Sequence, residues 1–145
     1  MRNSIIIMLF AFIIAGCGKS KFESKPVLEF KDVNTTELHR QQLIRFTLGF
    51  TDKDGDISDS VFIQKIVADC PATSFNQWFP MPSVPPTSDM KGQIVLTLGY
   101  NVSGYSDILG PQCQQDDKAI FRFVLKDEKG NVSDTVSSPI ITIFQ

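Results

Sequence analysis

Phe121-Arg122-Phe123-Val124-Leu125-Lys126 alternates large apolar side chains with charged or branched ones. That period-two pattern belongs to a β-strand with one face in a core and the other toward water. The same rhythm recurs upstream, where Ile44, Phe46, Leu48 and Phe50 alternate with Leu43, Arg45, Thr47 and Gly49. Val27 to Val33, Val61 to Val67 and the face Ile94, Leu96, Leu98, Tyr100 supply further strands. The chain closes on Val132 to Val136 and Ile140 to Phe144, interrupted by Ser137-Ser138-Pro139, as at a bulge or sheet edge. Turn chemistry separates the runs at Asp52-Lys53-Asp54-Gly55-Asp56 and Asp127-Glu128-Lys129-Gly130-Asn131. No stretch sustains a 3.6-residue apolar period, and Thr35 to Gln42 has room for one helical turn at most. The reading is all-β: an antiparallel sandwich of about seven short strands, with an open barrel as the lesser alternative.

Composition narrows the class. The formal charge of −2 comes from interspersed acidic and basic residues, and a mildly acidic chain without a basic face is a poor partner for nucleic acid. His39 is the only histidine, which excludes a histidine-rich metal site. It has no nucleophile motif near it for a serine-histidine-aspartate arrangement. No phosphate-binding glycine loop is present, and aspartates in turns are solvated rather than paired as acid and base. The expectation is a protein that is not an enzyme.

The first residues carry a different signal. Met1-Arg2-Asn3 is a short basic start, followed by an uncharged run from Ile5 to Ala15 that is too short to span a bilayer. It ends in Ile14-Ala15-Gly16-Cys17, which resembles the lipobox of bacterial lipoproteins. The resemblance implies a signal peptide at 1–16 and a diacylglycerol on the Cys17 thiol. It also implies a stable anchor in the lipid bilayer through acylated Cys17, since two or three chains hold where one is marginal. Gly18 is not the aspartate that resembles an inner-membrane retention signal. The expected location is therefore the outer membrane of the cell envelope, on its periplasmic or its surface side. Residues 17–25 read as a flexible lipidated tether, and 26–145 as the folded domain, with about 129 residues left after cleavage.

With Cys17 acylated, Cys70 and Cys113 remain, and two cysteines in an exported domain most simply form a disulfide. The loop they close is about 44 residues, worth about 4 kcal/mol in the chain-entropy model. Strand order supports the pairing. If the strands ending at Phe50 and Lys126 are the second and sixth of an immunoglobulin-like sandwich, the strand ending at Val67 is the third and neighbours the sixth. Cys70 and Cys113 then share one pole. The span from Val33 to Phe144, with Phe50-Thr51-Asp52-Lys53-Asp54-Gly55-Asp56-Ile57 and Leu125-Lys126-Asp127-Glu128-Lys129-Gly130-Asn131-Val132-Ser133, is also similar to uncharacterised Ig-like lipoproteins of Gram-negative bacteria. That resemblance implies a fold and an envelope location, and no biochemical activity.

Two constellations could carry a function. Asp52, Asp54 and Asp56 at alternate positions, with Asp59 beyond and Gly55 allowing a sharp turn, could wrap oxygen ligands around calcium. Asp127 and Asn131 are expected at the same pole to complete the shell. The glycine falls fourth and no glutamate stands twelfth, so this is not an EF-hand; the competing reading is a solvated turn. Calcium is the one cofactor the sequence suggests. The second constellation is Pro71 to Met90, read as a long loop, which holds Phe75, Trp78, Phe79 and the prolines Pro71, Pro80, Pro82, Pro85 and Pro86. Its aromatics could dock an envelope protein or stack on a glycan, or could fold back over the core. An exposed, coplanar aromatic pair would favour the glycan. Asp59-Ser60-Val61 and Asp134-Thr135-Val136 look like aspartate-hydroxyl-aliphatic O-glycosylation sites of bacteria. The leading expectation is a non-catalytic accessory or adhesion module, with a glycan-binding module and a structural spacer as alternatives.

Overall fold

A computed structural model of the chain describes residues 24–145; the expected signal peptide at 1–16, Cys17 and most of the expected tether at 17–25 fall outside them. The strands are β1 (Val27–Val33), β2 (Glu37–Leu38), β3 (Leu43–Asp52), β4 (Ser60–Val67), β5 (Phe75–Pro80), β6 (Met90–Gly99), β7 (Asp117–Lys126), β8 (Val136–Ser137) and β9 (Ile141–Ile143). They form two sheets. The smaller runs β1-β3-β6, and the larger runs β2-β9-β7-β4-β5 with β8 on β7. This is an immunoglobulin-like sandwich: third and sixth major strands adjacent, and a short early strand crossing over to pair in parallel with the last.

The alternation read from sequence is the alternation found. Ile44, Phe46 and Leu48 on β3 and Phe121, Phe123 and Leu125 on β7 are all buried between the sheets. Phe46 lies between the other two phenylalanines, its ring centroid 4.8 Å from that of Phe121 and 5.0 Å from that of Phe123, so the sheets are keyed together at their centre. Cys70 and Cys113 are bonded with Cα atoms 5.8 Å apart, at the pole where β4 ends and β7 begins. β1 enters at the opposite pole, Val27 pairing with Thr51. β9 leaves at the disulfide pole, Ile143 pairing with Asp117.

Three segments differ from the sequence reading. The span from Pro71 to Met90 is not one loop: a short 3₁₀ turn at Pro71–Thr73 leads into β5, which pairs with β4 from Lys65↔Phe75 to Ser60↔Pro80. Thr35 to Gln42 forms no helix; Glu37–Leu38 is strand β2. The closing strands are shorter than expected, because Ser137-Ser138-Pro139 breaks the ladder. There the Ser138 hydroxyl accepts the Phe121 N–H at 3.0 Å in place of a backbone carbonyl, so the break leaves no buried donor orphaned.

Candidate metal centre and recognition face

Asp52 ends β3, Asp56 follows in the next turn, and Asp127 is the first residue after β7. Because β3 and β7 run the same way, both turns fall at one pole, where the Glu128 N–H donates to the Asp56 carbonyl at 2.8 Å. Gly55 permits the tight turn: its φ is +69°, and a Cβ there would lie 2.1 Å from the Thr87 carbonyl. The three aspartates are buried, and one oxygen of each lies within 4.8 Å of the others.

Their hydrogen bonds are incomplete. Asp52 Oδ1 accepts the Gly55 N–H at 2.5 Å, and Asp127 accepts the Asn131 backbone and side-chain N–H groups, each at 2.7 Å. Asp52 Oδ2 and Asp56 Oδ1 are buried with no partner. The nearest cation is Lys129, 3.2 Å from Asp56 and 2.7 Å from Asp54. At an effective dielectric near 20, two unit charges at this spacing repel by about 3 kcal/mol. One exposed lysine does not offset three such pairs, so the cluster calls for a proton or a cation. Burial pushes the Asp52 carboxyl above its ordinary value; the Gly55 N–H opposes this, and Asp56 and Asp127 add to it.

The oxygen spacing bears on which cation fits. Oxygens on opposite sides of Ca²⁺ stand roughly 4.6–5.2 Å apart, twice the bond length, and those around Mg²⁺ roughly 4.1 Å. Three oxygens that all lie within 4.8 Å of one another fall inside the calcium limit, so one ion of that size can touch all three. Asp52, Asp56 and Asp127 could hold the ion. Asp54 is turned to Lys129, and Asn131 donates its side-chain N–H to Asp127 and so holds that carboxylate in place. Asp59 stands apart, bonded to Ser60 at 2.6 Å and 3.4 Å from Lys126; the Ser60 hydroxyl, chiefly, holds its carboxyl below the ordinary value.

The aromatic trio separates because β5 is a strand and its side chains alternate. Phe75 and Phe79 face inward and pack against the core, Phe75 edge-on to Phe121 at 6.5 Å. Trp78 faces outward and is 47% exposed. Its neighbour there is Phe62, which no sequence argument had singled out: Phe62 pairs with both Trp78 and Val124 in one row across the sheet. The two rings are 5.0 Å apart and tilted 41°. One row along, Gln64 lies between Asn76 and Arg122. Beyond that, Ile66 pairs with Ile120, which is 37% exposed, and Ile140, 56% exposed, sits one step past the Ala119↔Ile141 pair. The outer face of the larger sheet thus carries two apolar rows around one polar row.

Sequence reasoning also missed a buried ion pair. Lys65 takes an inward position on β4, where its Nζ donates to Asp117 at 3.0 Å and to the Leu109 carbonyl; both charged side chains are fully buried. Burial holds the Lys65 ammonium below its ordinary value, against the opposing pull of Asp117. His39 is exposed and stacks on Phe144, centroids 4.4 Å apart. Among the described residues no helix is long and apolar enough to cross a membrane.

No protein-family model and no curated protein matches this chain. Among the solved structures similar to this chain, two match it at low identity. A sporulation control protein, Spo0M, from Bacillus subtilis is 10% identical with a TM-score of 0.47; the match covers 83% of this chain and 50% of that one, so the chain spans about half its length. A Niemann-Pick type C2 protein from the Japanese carpenter ant is 14% identical with a TM-score of 0.46, covering 84% of this chain and 98% of that one.

Proposed function

We propose that this protein is a non-catalytic, lipid-anchored envelope lipoprotein whose sandwich binds a protein partner through the outer face of the larger sheet, with calcium bracing the acidic pole. The observation that carries the reading is the pair of apolar rows, Trp78-Phe62-Val124 and Ile66-Ile120, exposed or half-buried on the outer sheet face to either side of the Asn76-Gln64-Arg122 row. A central patch of aromatic and aliphatic side chains inside a polar rim is the anatomy of a protein-binding surface. Lys118 and Lys126, on β7 beyond the two ends of the patch, belong to that rim. The anchor rests on the Ile14-Ala15-Gly16-Cys17 motif, and the calcium on the three buried aspartates with two unpartnered oxygens.

The 41° tilt between Trp78 and Phe62 favours a protein over a glycan, because a sugar ring stacks best on a flat platform. The glycan reading keeps one supporting observation: Gln64, Asn76 and Arg122 offer polar groups beside the Trp78 ring. Chemical cross-linking of the tagged lipoprotein in native membranes, with calcium and with chelator, tests the proposal. One partner recovered in near-equal amount, and lost with Ile120→Asp, is the expected result. Recovery of no protein, together with polysaccharide binding abolished by Trp78→Ala, would transfer the function to glycan recognition.

A further inference from the structure

Residues 81–89 carry the chain from β5 in the larger sheet to β6 in the smaller, across the acidic pole. Among the described residues, every hydrogen bond that joins this strap to the rest of the molecule ends on residues 53–59. The Met81 N–H donates to the Asp59 carbonyl at 3.1 Å, and the Asp89 N–H to the Lys53 carbonyl at 2.9 Å. In the middle, the Val84 N–H donates to the Ser58 hydroxyl at 2.9 Å, and that hydroxyl donates to the Val84 carbonyl at 3.2 Å. Gly55 lies against Thr87 with no room for a side chain between them. Pro82, Pro85 and Pro86 have no N–H to offer, so the strap has few other ways to be held.

The stretch that holds the strap is the one the three aspartates organise. Asp52 precedes it and Asp56 lies within it, and each has a buried oxygen without a partner. Asp52 ends β3 and Asp127 follows β7, both long paired strands, whereas residues 53–59 belong to no strand. Repulsion among the carboxylates of the empty site therefore acts on the part of the pole least able to resist it. A bound cation draws Asp56 toward Asp52 and Asp127. It fixes the turn, and with it every point at which the strap is attached.

The strap in turn continues β5, an edge strand paired on one side only, with β4. Trp78 lies on that strand, close before Met81. We infer, on the reading that calcium occupies the acidic pole, that the ion regulates the recognition face. Its binding orders residues 81–89 and, through them, holds β5 and Trp78 in place. Coupling of this kind is reciprocal: a partner seated on Trp78 tightens calcium by the same factor that calcium tightens the partner.

The test is amide hydrogen exchange of the tagged full-length lipoprotein in detergent, in chelator and in excess calcium. An opening that empties the site slows by about a hundredfold at a hundredfold excess of ligand over its dissociation constant. Slowing of about tenfold is expected across 81–89, since opening the strap loosens the site without emptying it. Acrylamide quenching of Trp78, the chain's single tryptophan, should fall in the same titration. Asp127→Asn alters a ligand that makes no hydrogen bond to the strap, and should abolish both effects. Ser58→Ala cuts the middle attachment and no ligand; it should lose the calcium response at Val84 and keep the calcium-induced rise in melting midpoint. Exchange of 81–89 indifferent to calcium, in a protein whose midpoint calcium raises, would overturn the coupling and leave the site standing. A midpoint that calcium does not move would overturn both.

Discussion

Replacing Asp52 with asparagine should move stability in opposite directions depending on calcium. Without calcium, the substitution removes one of three buried carboxylates whose oxygens lie within 4.8 Å of each other, and leaves an oxygen to accept the Gly55 N–H. Each like-charge pair costs about 3 kcal/mol at an effective dielectric near 20, part of it already relieved by Lys129 and by proton uptake. A net gain of about 1–2 kcal/mol is expected, which raises the midpoint by about 5 °C for a domain of this size. With calcium the order reverses. Extracellular modules bind with dissociation constants of roughly 10⁻⁴–10⁻³ M, so about 10 mM calcium is a hundredfold excess at the tight end. That excess stabilises the intact site by about 2.7 kcal/mol, a shift of about 10 °C. Asp52→Asn should lose most of this shift. Calorimetric melts in chelator, calcium and magnesium give the comparison directly. A wild-type midpoint unmoved by calcium, or a variant less stable than wild type in chelator, would refute the reasoning.

Other expectations follow from separate parts of the molecule. Cys17→Ser should abolish metabolic incorporation of labelled palmitate and shift the protein from the membrane to the soluble fraction. Disrupting the disulfide with Cys113→Ala should lower unfolding free energy by about 4 kcal/mol, measured by denaturant titration. Lys65→Ala strands a buried carboxylate and should cost about 3–5 kcal/mol, whereas Lys65→Met combined with Asp117→Leu should be near neutral. Lys65 also sets an alkaline pH dependence. Its folded value lies below the unfolded 10.5, so between the two the unfolded chain holds more protons and stability rises with pH. That rise should be missing from the Lys65→Met, Asp117→Leu variant when the two are titrated side by side.

The strands that were legible in sequence are those whose alternation is undiluted, such as Ile44 to Phe50 and Phe121 to Leu125. There the burial of one face selects the residue types directly. β5 was hidden by its surroundings: prolines at 71, 80, 82, 85 and 86 mark the segment as irregular, although Phe75 and Phe79 against Trp78 already held the two-residue period. Phe62 could not be recognised as Trp78's neighbour, since only the β4–β5 register brings them together. Lys65 was read as one more residue of a strand. A lone lysine normally faces water, and its partner Asp117 lies 52 residues away with no local pattern to join them. The acidic pole was half readable. Turn chemistry showed where the aspartates were, and strand direction put Asp127 beside them; which three would be buried depended on how Lys129 and Asn131 were used.

The entry of β1 at the acidic pole and the exit of β9 at the disulfide pole have a mechanical meaning for a tethered protein. A pull between the membrane and anything held at the far end runs along the strands instead of across them. The β1–β3 ladder, whose bonds lie perpendicular to that direction, is then sheared as a whole, and its bonds share the force instead of opening one after another. Under the anchor proposed here, a load carried from one pole to the other would meet that ladder in shear.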